Sequence, residues 1–369
     1  MKKGNTLTLL LNLLLCLGIT IGQLHSQNVD LPRPSPAATL TQNIGMTKIT
    51  VNYSRPQVVV NGNDRTDKIW GALVPYGFNK INFASQGEIP WRAGANENTT
   101  ISFSTDVNIE GKPLKAGTYG LHMALYEDGK ATLIFSNNTS SWGSFWYNQS
   151  EDALRVAVQT TETAFTNLLT YEFVELANDY GVLALSWEKK RIPMKIAVDL
   201  KTLAVQSFRD ELRGVKGFSW QGPLSAANYC LQNNYNHEEA LKWADQALNQ
   251  NKNFQTLFVK GGLLLQMGKV AEATPLTDEA VQLANLNQLN ALGYQMLQAN
   301  NPKKAVEYFK LNTERNPEDA NSYDSLGEGY MALGDNNKAI ESFKKSLSLN
   351  PPPFVKANSL KNLEKLGVK

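Results

Sequence analysis

The chain has 369 residues, with 36 Lys+Arg against 34 Asp+Glu, two Cys and three His. At roughly 150 residues per domain this length suggests two domains, and 42% hydrophobic with 9% aromatic residues exclude a disordered chain. Charge is balanced in both halves, 15 basic against 17 acidic in 27–200 and 19 against 17 in 201–369. That argues against a nucleic-acid or anionic-membrane binder, because counterion release needs Lys and Arg concentrated on one face.

Met1-Lys2-Lys3-Gly4 is a basic start, Leu9 to Ile21 is mostly apolar, and Leu24-His25-Ser26 offers a small residue at the cleavage point before Gln27. This predicts a signal peptide over 1–26 and an exported protein in the periplasm, the cell envelope or outside the cell. The apolar run is shorter than the ~20 residues a membrane span requires. Leu13-Leu14-Leu15 before Cys16 lacks the small residue expected ahead of a lipidated cysteine. Cleavage leaves Cys230 as the sole thiol, so no internal disulfide is expected. No later stretch is apolar enough to predict a transmembrane segment.

From Lys48 to about Asp199 the hydrophobic pattern has a period near two. Lys48–Tyr53, Thr100–Ser104, Thr118–Leu125, Ala131–Phe135, Leu154–Val158, Thr170–Glu175, Val182–Trp187 and Pro193–Val198 read as strands. Turn residues separate several of them, as in Glu110-Gly111-Lys112 and Asp128-Gly129-Lys130. Asn61–Lys68 and Ser85–Glu97 read as surface loops. The expected fold of 27–200 is an all-β antiparallel sandwich, jelly-roll-like.

After Leu203 the period becomes 3.6, with a connector helix in 201–222 ended by Gly214 and Gly217. Beyond Pro223 an internal repeat appears. Leu326-Gly327, Tyr330, Gly334, Ala339, Phe343 and Pro351 follow Leu292-Gly293, Met296, Ala305, Phe309 and Pro317, and Ala305 and Ala339 stand 34 residues apart. Weaker units centre on Ala273 and Ala240. This resembles the tetratricopeptide repeat, in which small residues let paired helices approach and an aromatic fills the gap between pairs. Residues 223–369 are therefore expected to form an all-α solenoid, with Val355–Leu366 as its closing helix.

The first half also resembles a known family. Leu40–Thr47, Tyr53-Ser54-Arg55-Pro56, Val74-Pro75-Tyr76-Gly77, Trp91–Glu97, Lys115–Leu121 and Trp142-Gly143-Ser144-Phe145 occur in the order found in domain of unknown function 2911, an exported, Bacteroidetes-type family. The similarity spans roughly Pro32 to Val198. It departs at Val58–Thr66, where Asn61-Gly62-Asn63-Asp64 replaces a shorter, basic turn. The resemblance implies a location and a lineage but no chemistry.

Trp91, Arg92, Asn96 and Glu97 form the first candidate site. A ring face, a guanidinium, an amide and a carboxylate on one loop suit a carbohydrate or carboxylate ligand, with Arg55 and His122 as candidate neighbours. The structural alternative places Trp91 in the core and uses Arg92 and Glu97 to tie the loop. Trp142, Phe145, Trp146 and Tyr147 form an aromatic cluster, read as a plug at a sandwich end. In the array, repeat alignment puts Gln255, Phe258, Asn290, Tyr294, Asp324, Glu328 and Met331 on a partner groove for a protein or peptide. The Lys and Asn of a carboxylate clamp are missing from the matching positions.

No nucleophile elbow, phosphate loop or metal-ligand spacing occurs. No catalytic residue, metal or cofactor is therefore assigned. The expected function is that of an exported, non-catalytic scaffold. Its β-sandwich would bind a glycan, small ligand or envelope component, and its repeats would bind a protein. The alternative is a cell-envelope hydrolase acting on glycan or peptide through the Trp91–Glu97 loop.

Overall fold

The computed structural model describes residues 32–81 and 87–368. The expected signal peptide, Cys16 and the start of the Ser85–Glu97 loop lie outside the described residues. The chain divides after Leu200 into two compact units.

The first unit runs β1 (Ala37–Ile44), β2 (Thr47–Ser54), β3 (Val59–Val60), β4 (Asn63–Asp64), β5 (Asn79–Lys80), β6 (Glu88–Ile89), β7 (Thr100–Phe103), β8 (Val107–Ile109), β9 (Lys112–Leu114), β10 (Gly117–Leu125), β11 (Lys130–Ser136), β12 (Asp152–Gln159), β13 (Thr161–Leu176) and β14 (Tyr180–Ala197). One antiparallel sheet has the order β1-β2-β7-β10-β11-β12 and the other β13-β14-β8-β9, while β3–β4 and β5–β6 are small separate hairpins. In β2 the alternation is direct: Ile49, Val51 and Tyr53 are buried while Lys48 and Asn52 face water. The sheets form an antiparallel β-sandwich. Tyr53 of β2 meets Tyr171 of β13 edge-on at 4.7 Å between ring centroids. Arg55 crosses between the sheets, its Nε donating to Leu169 O at 2.8 Å and its Nη2 to Thr170 Oγ1 at 2.6 Å.

Two expected strands, Val182–Trp187 and Pro193–Val198, are one continuous strand, β14. Glu188, with φ of 54°, forms an irregularity opposite Thr166 and lets the strand continue. Pro193 costs no ladder bond, because pairing with β13 ends at Arg191 and pairing with β8 begins at Ile196. β1, absent from the expected strands, is an edge rich in Thr, Gln and Asn whose outer side chains are exposed.

The second unit has ten helices among the described residues: α1 (Leu200–Glu211), α2 (Gln221–Gln232), α3 (His237–Gln250), α4 (Phe254–Gln266), α5 (Val270–Leu283), α6 (Leu286–Gln298), α7 (Pro302–Arg315), α8 (Ala320–Leu333), α9 (Asn336–Ser348) and α10 (Pro353–Lys365). α2 to α9 make four consecutive antiparallel pairs. Short polar residues start many of these helices: Asn253 and Asn285 form capping boxes with Thr256 and Gln288, and Asp319 and Asp335 accept the N–H groups of Ser322 and Lys338. α1 packs on the first pair, Phe208 lying 5.3 Å from the Tyr229 ring and 6.2 Å from that of Trp243.

The 34-residue period has a steric cause. Phe309 and Phe343 are fully buried, and each ring lies against a glycine of the preceding helix. A Cβ on Gly293 would lie 2.2 Å from Phe309 Cε1, and one on Gly327 2.6 Å from Phe343 Cε1. Gly327→Ala therefore sets two effects against each other. Helix propensity alone favours alanine by about 1 kcal/mol, whereas displacing a buried ring costs about 1–3 kcal/mol. We expect net destabilisation, read as a lower urea midpoint by circular dichroism at 222 nm; a raised midpoint would mean that the ring has room to move.

Candidate functional site

The Trp91 loop is built by a backbone clamp. Trp91 pairs with Met123 of β10 through N–H···O bonds of 2.8 Å in both directions. The chain then turns through Ala93 and Asn96, both left-handed with φ of 53° and 60°. Left-handed backbone costs roughly 1–2 kcal/mol for a residue with a Cβ, so something must hold it. The buried Ala93 carbonyl accepts from the Tyr171 hydroxyl at 2.9 Å and from Thr99 Oγ1 at 3.2 Å. Gly94 is required beside it, because a Cβ there would lie 2.7 Å from Thr99 Oγ1.

This turn places Trp91, Arg92 and Asn96 on an open cleft of about 530 Å³. Trp91 stacks on the buried Trp187, with centroids 6.2 Å apart and planes 14° from parallel, and Trp70 meets both rings edge-on. Arg92 Nη1 donates to Asn96 O at 2.6 Å, and its guanidinium lies 4.4 Å from the Phe145 ring centroid and against Gly143. Burial holds the Arg92 pKa below its ordinary value. Asn96 Nδ2 reaches Ser35 O at 3.1 Å, fixing the N-terminal segment at the cleft edge.

The other sequence candidates do not join this cleft. Glu97 forms an ion pair with Arg33 and accepts from Ser54 Oγ at 3.5 Å, tying down the loop as the structural alternative expects. A hydrogen bond from its own backbone N–H, together with those two partners, lowers its pKa. Arg55 is spent on the sheet-to-sheet bonds, and among its described contacts none faces the cleft. His122 lies inside the unit, its Nδ1 bonded to Ser144 Oγ at 2.7 Å and its ring edge-on to Tyr147. Of the aromatic cluster, Tyr147 is buried but Trp142 and Trp146 are 51% and 59% exposed, so the cluster is only partly a plug.

Arg65 and Trp187 line the cleft but were not singled out from the sequence. Arg65 reads there as a loop residue, and Trp187 as a strand core residue; nothing in their spacing links them to Trp91. Among the described residues no group of three His, Cys, Asp or Glu gathers as a metal site, and Cys230 is a buried free thiol. No helix among them is long and apolar enough to cross a membrane.

The array face divides into an open end and a closed one. Gln255 and Phe258 line a cleft of about 410 Å³ with Trp220, Asn228 and Phe254, and Phe254 stacks on Phe258 at 5.5 Å. The i,i+4 spacing of Phe254 and Phe258 could have disclosed this pair. Asn290 is half-buried in the middle, and the Tyr294 hydroxyl donates to Glu328 at 2.9 Å. Asp324, expected on an open groove, is instead 4% exposed. Its carboxylate accepts from Asn358 at 2.8 Å and from Ser359, both on α10, and Asn358 also donates to Glu328 at 2.7 Å. Burial raises the Asp324 pKa. Met331 packs partly into the core around Phe309 and Phe343.

The buried histidine gives a pH prediction. Burial first, and then the Arg92 charge, lower the His122 pKa from 6.5 to about 4. The unfolded chain then binds a proton that the folded chain refuses between these values. Stability is complete above pH 6.5 and falls as pH drops toward 4, by up to about 3 kcal/mol from this group. His122→Gln should flatten that part of the stability–pH curve in urea unfolding at pH 7.5, 6, 5 and 4; an unchanged slope would mean that His122 is protonated in the fold.

Comparison with known proteins agrees with this layout. Residues 35–196 match the family model described as a protein of unknown function, DUF2911, and residues 320–353 match that of the tetratricopeptide repeat. No curated protein matches the sequence. Similar solved structures include a MamA protein, 16% identical over 39% of this chain and 80% of that chain, with a TM-score of 0.29. YrrB, described as a TPR protein with an unusual peptide-binding site, is 20% identical over 38% of this chain and 74% of its own, with a TM-score of 0.27. Pseudomonas aeruginosa pilF is 19% identical over 41% and 71% of the two chains, with a TM-score of 0.29. The chain thus carries a DUF2911 region followed by tetratricopeptide repeats.

Proposed function

We propose that the protein is an exported, non-catalytic scaffold whose repeat array holds a protein partner and whose β-sandwich holds a small ligand. Tetratricopeptide repeats are a protein-contact architecture, and the observation that carries the reading is the difference between the two ends of the array face. The α10 end is closed by Asn358 and Ser359 on Asp324 and Glu328. The α2–α4 end leaves the rings of Trp220, Phe254 and Phe258 on an open cleft. Open aromatic surface flanked by amides is the composition of an interface hot spot. Export rests on the Lys2-Lys3 start and the Leu9–Ile21 run.

The hydrolase alternative requires a general acid or base in the Trp91 cleft. No Asp or Glu lines that cleft among the described residues, and Glu97 is committed to Arg33 and Ser54. The binding reading is therefore preferred.

Asp324→Lys is a poor probe of the groove, because it buries an unpaired ammonium beneath α10 and costs several kcal/mol of stability. Phe258 is itself partly packed on the core around Leu289 and Leu292, so Gln255→Arg, at an exposed position of the open end, separates binding from folding. We expect this variant to keep its far-ultraviolet circular dichroism while losing the proteins that the unaltered chain recovers from envelope extract. Recovery of the same proteins in the same amounts would move the contact surface elsewhere.

A further inference from the structure

The cleft beside Trp91 has an unbalanced electrostatic composition. Two guanidinium groups, Arg65 and Arg92, line it, and among the described residues no carboxylate does. Neither arginine enters an ion pair among the described residues, in contrast to Arg33, Arg155, Arg191 and Arg209, which do. Their described hydrogen bonds all end on neutral backbone carbonyls: Arg92 on Asn96 O, and Arg65 on Val58 O and Gln57 O. Those bonds fix the orientation of each guanidinium without neutralising it. A half-buried cation without a counter-charge is costly, and Arg92 is in addition packed against Phe145 and Gly143, so it cannot swing out to water without dismantling the loop.

The remaining lining supplies the other parts of a recognition site. Trp91 offers an apolar ring backed by the buried Trp187, while Gln57, Asn63 and Asn96 offer amides that donate and accept. Asn63 arrives on the β3–β4 hairpin, whose turn at Asn61-Gly62 is left-handed at both residues. A volume of about 530 Å³ is that of a drug-sized or disaccharide-sized ligand rather than a single small ion. Paired arginines favour planar oxyanions, which accept two parallel N–H bonds.

We propose that this cleft binds a carboxylate carried on a ring, the anion meeting Arg65 and Arg92 and the ring lying along Trp91. This rests on the reading of the β-sandwich as a ligand-binding unit and adds the chemical class of its ligand. A charged group placed where no counter-charge exists restores the balance that the protein leaves open, and a neutral ring does not. The class covers saturated and aromatic rings alike, and the test separates them.

The test is isothermal titration of the full chain at pH 7.5 in low salt. One pair of probes is digalacturonate and its methyl diester; the other is indole-3-acetate and indole-3-acetamide. Within each pair the ring is kept and the carboxylate is replaced by a neutral ester or amide. At least one carboxylate should bind, and about ten- to hundredfold more tightly than its neutral counterpart, as charge-assisted hydrogen bonds imply. Arg65→Gln and Arg92→Gln, each checked for a native near-ultraviolet spectrum, should abolish that preference. If either variant fails to fold, the comparison of probes on the unaltered chain still decides. Equal binding of acid and neutral probe would overturn the charge assignment and leave the ligand-binding reading standing. Binding of none of the four would overturn both.

Discussion

One buried carbonyl organises the candidate site of the first unit. The Ala93 oxygen accepts from Tyr171 of β13 and from Thr99, the residue just before β7, so one sheet and the entry to the other hold the same atom. Ala93 and Asn96 remain left-handed because that carbonyl is fixed, and Gly94 fits only because it lacks a Cβ. Trp91 and Arg92 precede the clamp and inherit their directions from it. The neighbouring Tyr53–Tyr171 contact and the Arg55 bonds to Leu169 and Thr170 draw the two sheets together at the same place. The cleft is thus a consequence of how the sandwich closes, with its polar groups set on backbone that cannot easily relax.

The second unit depends on a different constraint, the repeated pressing of a phenylalanine on a glycine. Gly293 with Phe309 and Gly327 with Phe343 set the distance between the two helices of a pair, and Gly329 against Phe309 sets the approach of one pair to the next. Arg315 reinforces the stack by donating to the carbonyls of Val281 and Ala284 and to Gln282, thereby capping the C-terminal end of α5 from the next pair. The face of the array is then decided by its ends. At one end α10 contributes Asn358 and Ser359 to a polar ladder through Asp324, Glu328 and Tyr294. At the other, the rings of Trp220, Phe254 and Phe258 are packed on the core along one side and line an open cleft on the other.

The sequence disclosed what depends on periodicity and missed what depends on long-range contact. The alternation in β2 and the 34-residue spacing of Ala305 and Ala339 are local signals, and they yield a sandwich followed by a repeat array. The continuity of β14 was not readable, since Pro193 looks like a break until it is seen to fall between two partner strands. Arg55 and Glu97 looked like ligand groups because sequence shows charge but not the carbonyls and Arg33 that occupy it. Asp324 kept its expected helical position but lost its exposure to α10, whose polar face is visible in the sequence and whose seating is not. Arg65 was missed for the converse reason: a loop cation next to Asp64 becomes notable only once the fold places it on a cleft with no Asp or Glu among its described lining residues.

The central claim is that the sheet-to-loop clamp on the Ala93 carbonyl holds the tryptophan–arginine cleft. Tyr171→Phe tests it most directly, because it deletes one hydroxyl and leaves the ring packed on Tyr53. The decisive measurement is urea unfolding of this variant, together with its near-ultraviolet circular dichroism, to which the mutually packed Trp70, Trp91 and Trp187 contribute among the seven tryptophans. Losing a buried hydrogen bond should cost about 1–3 kcal/mol and weaken the tryptophan signal in the native baseline as the loop relaxes. Unchanged stability with an unchanged aromatic spectrum would show that the loop stands without the clamp, and would contradict the account.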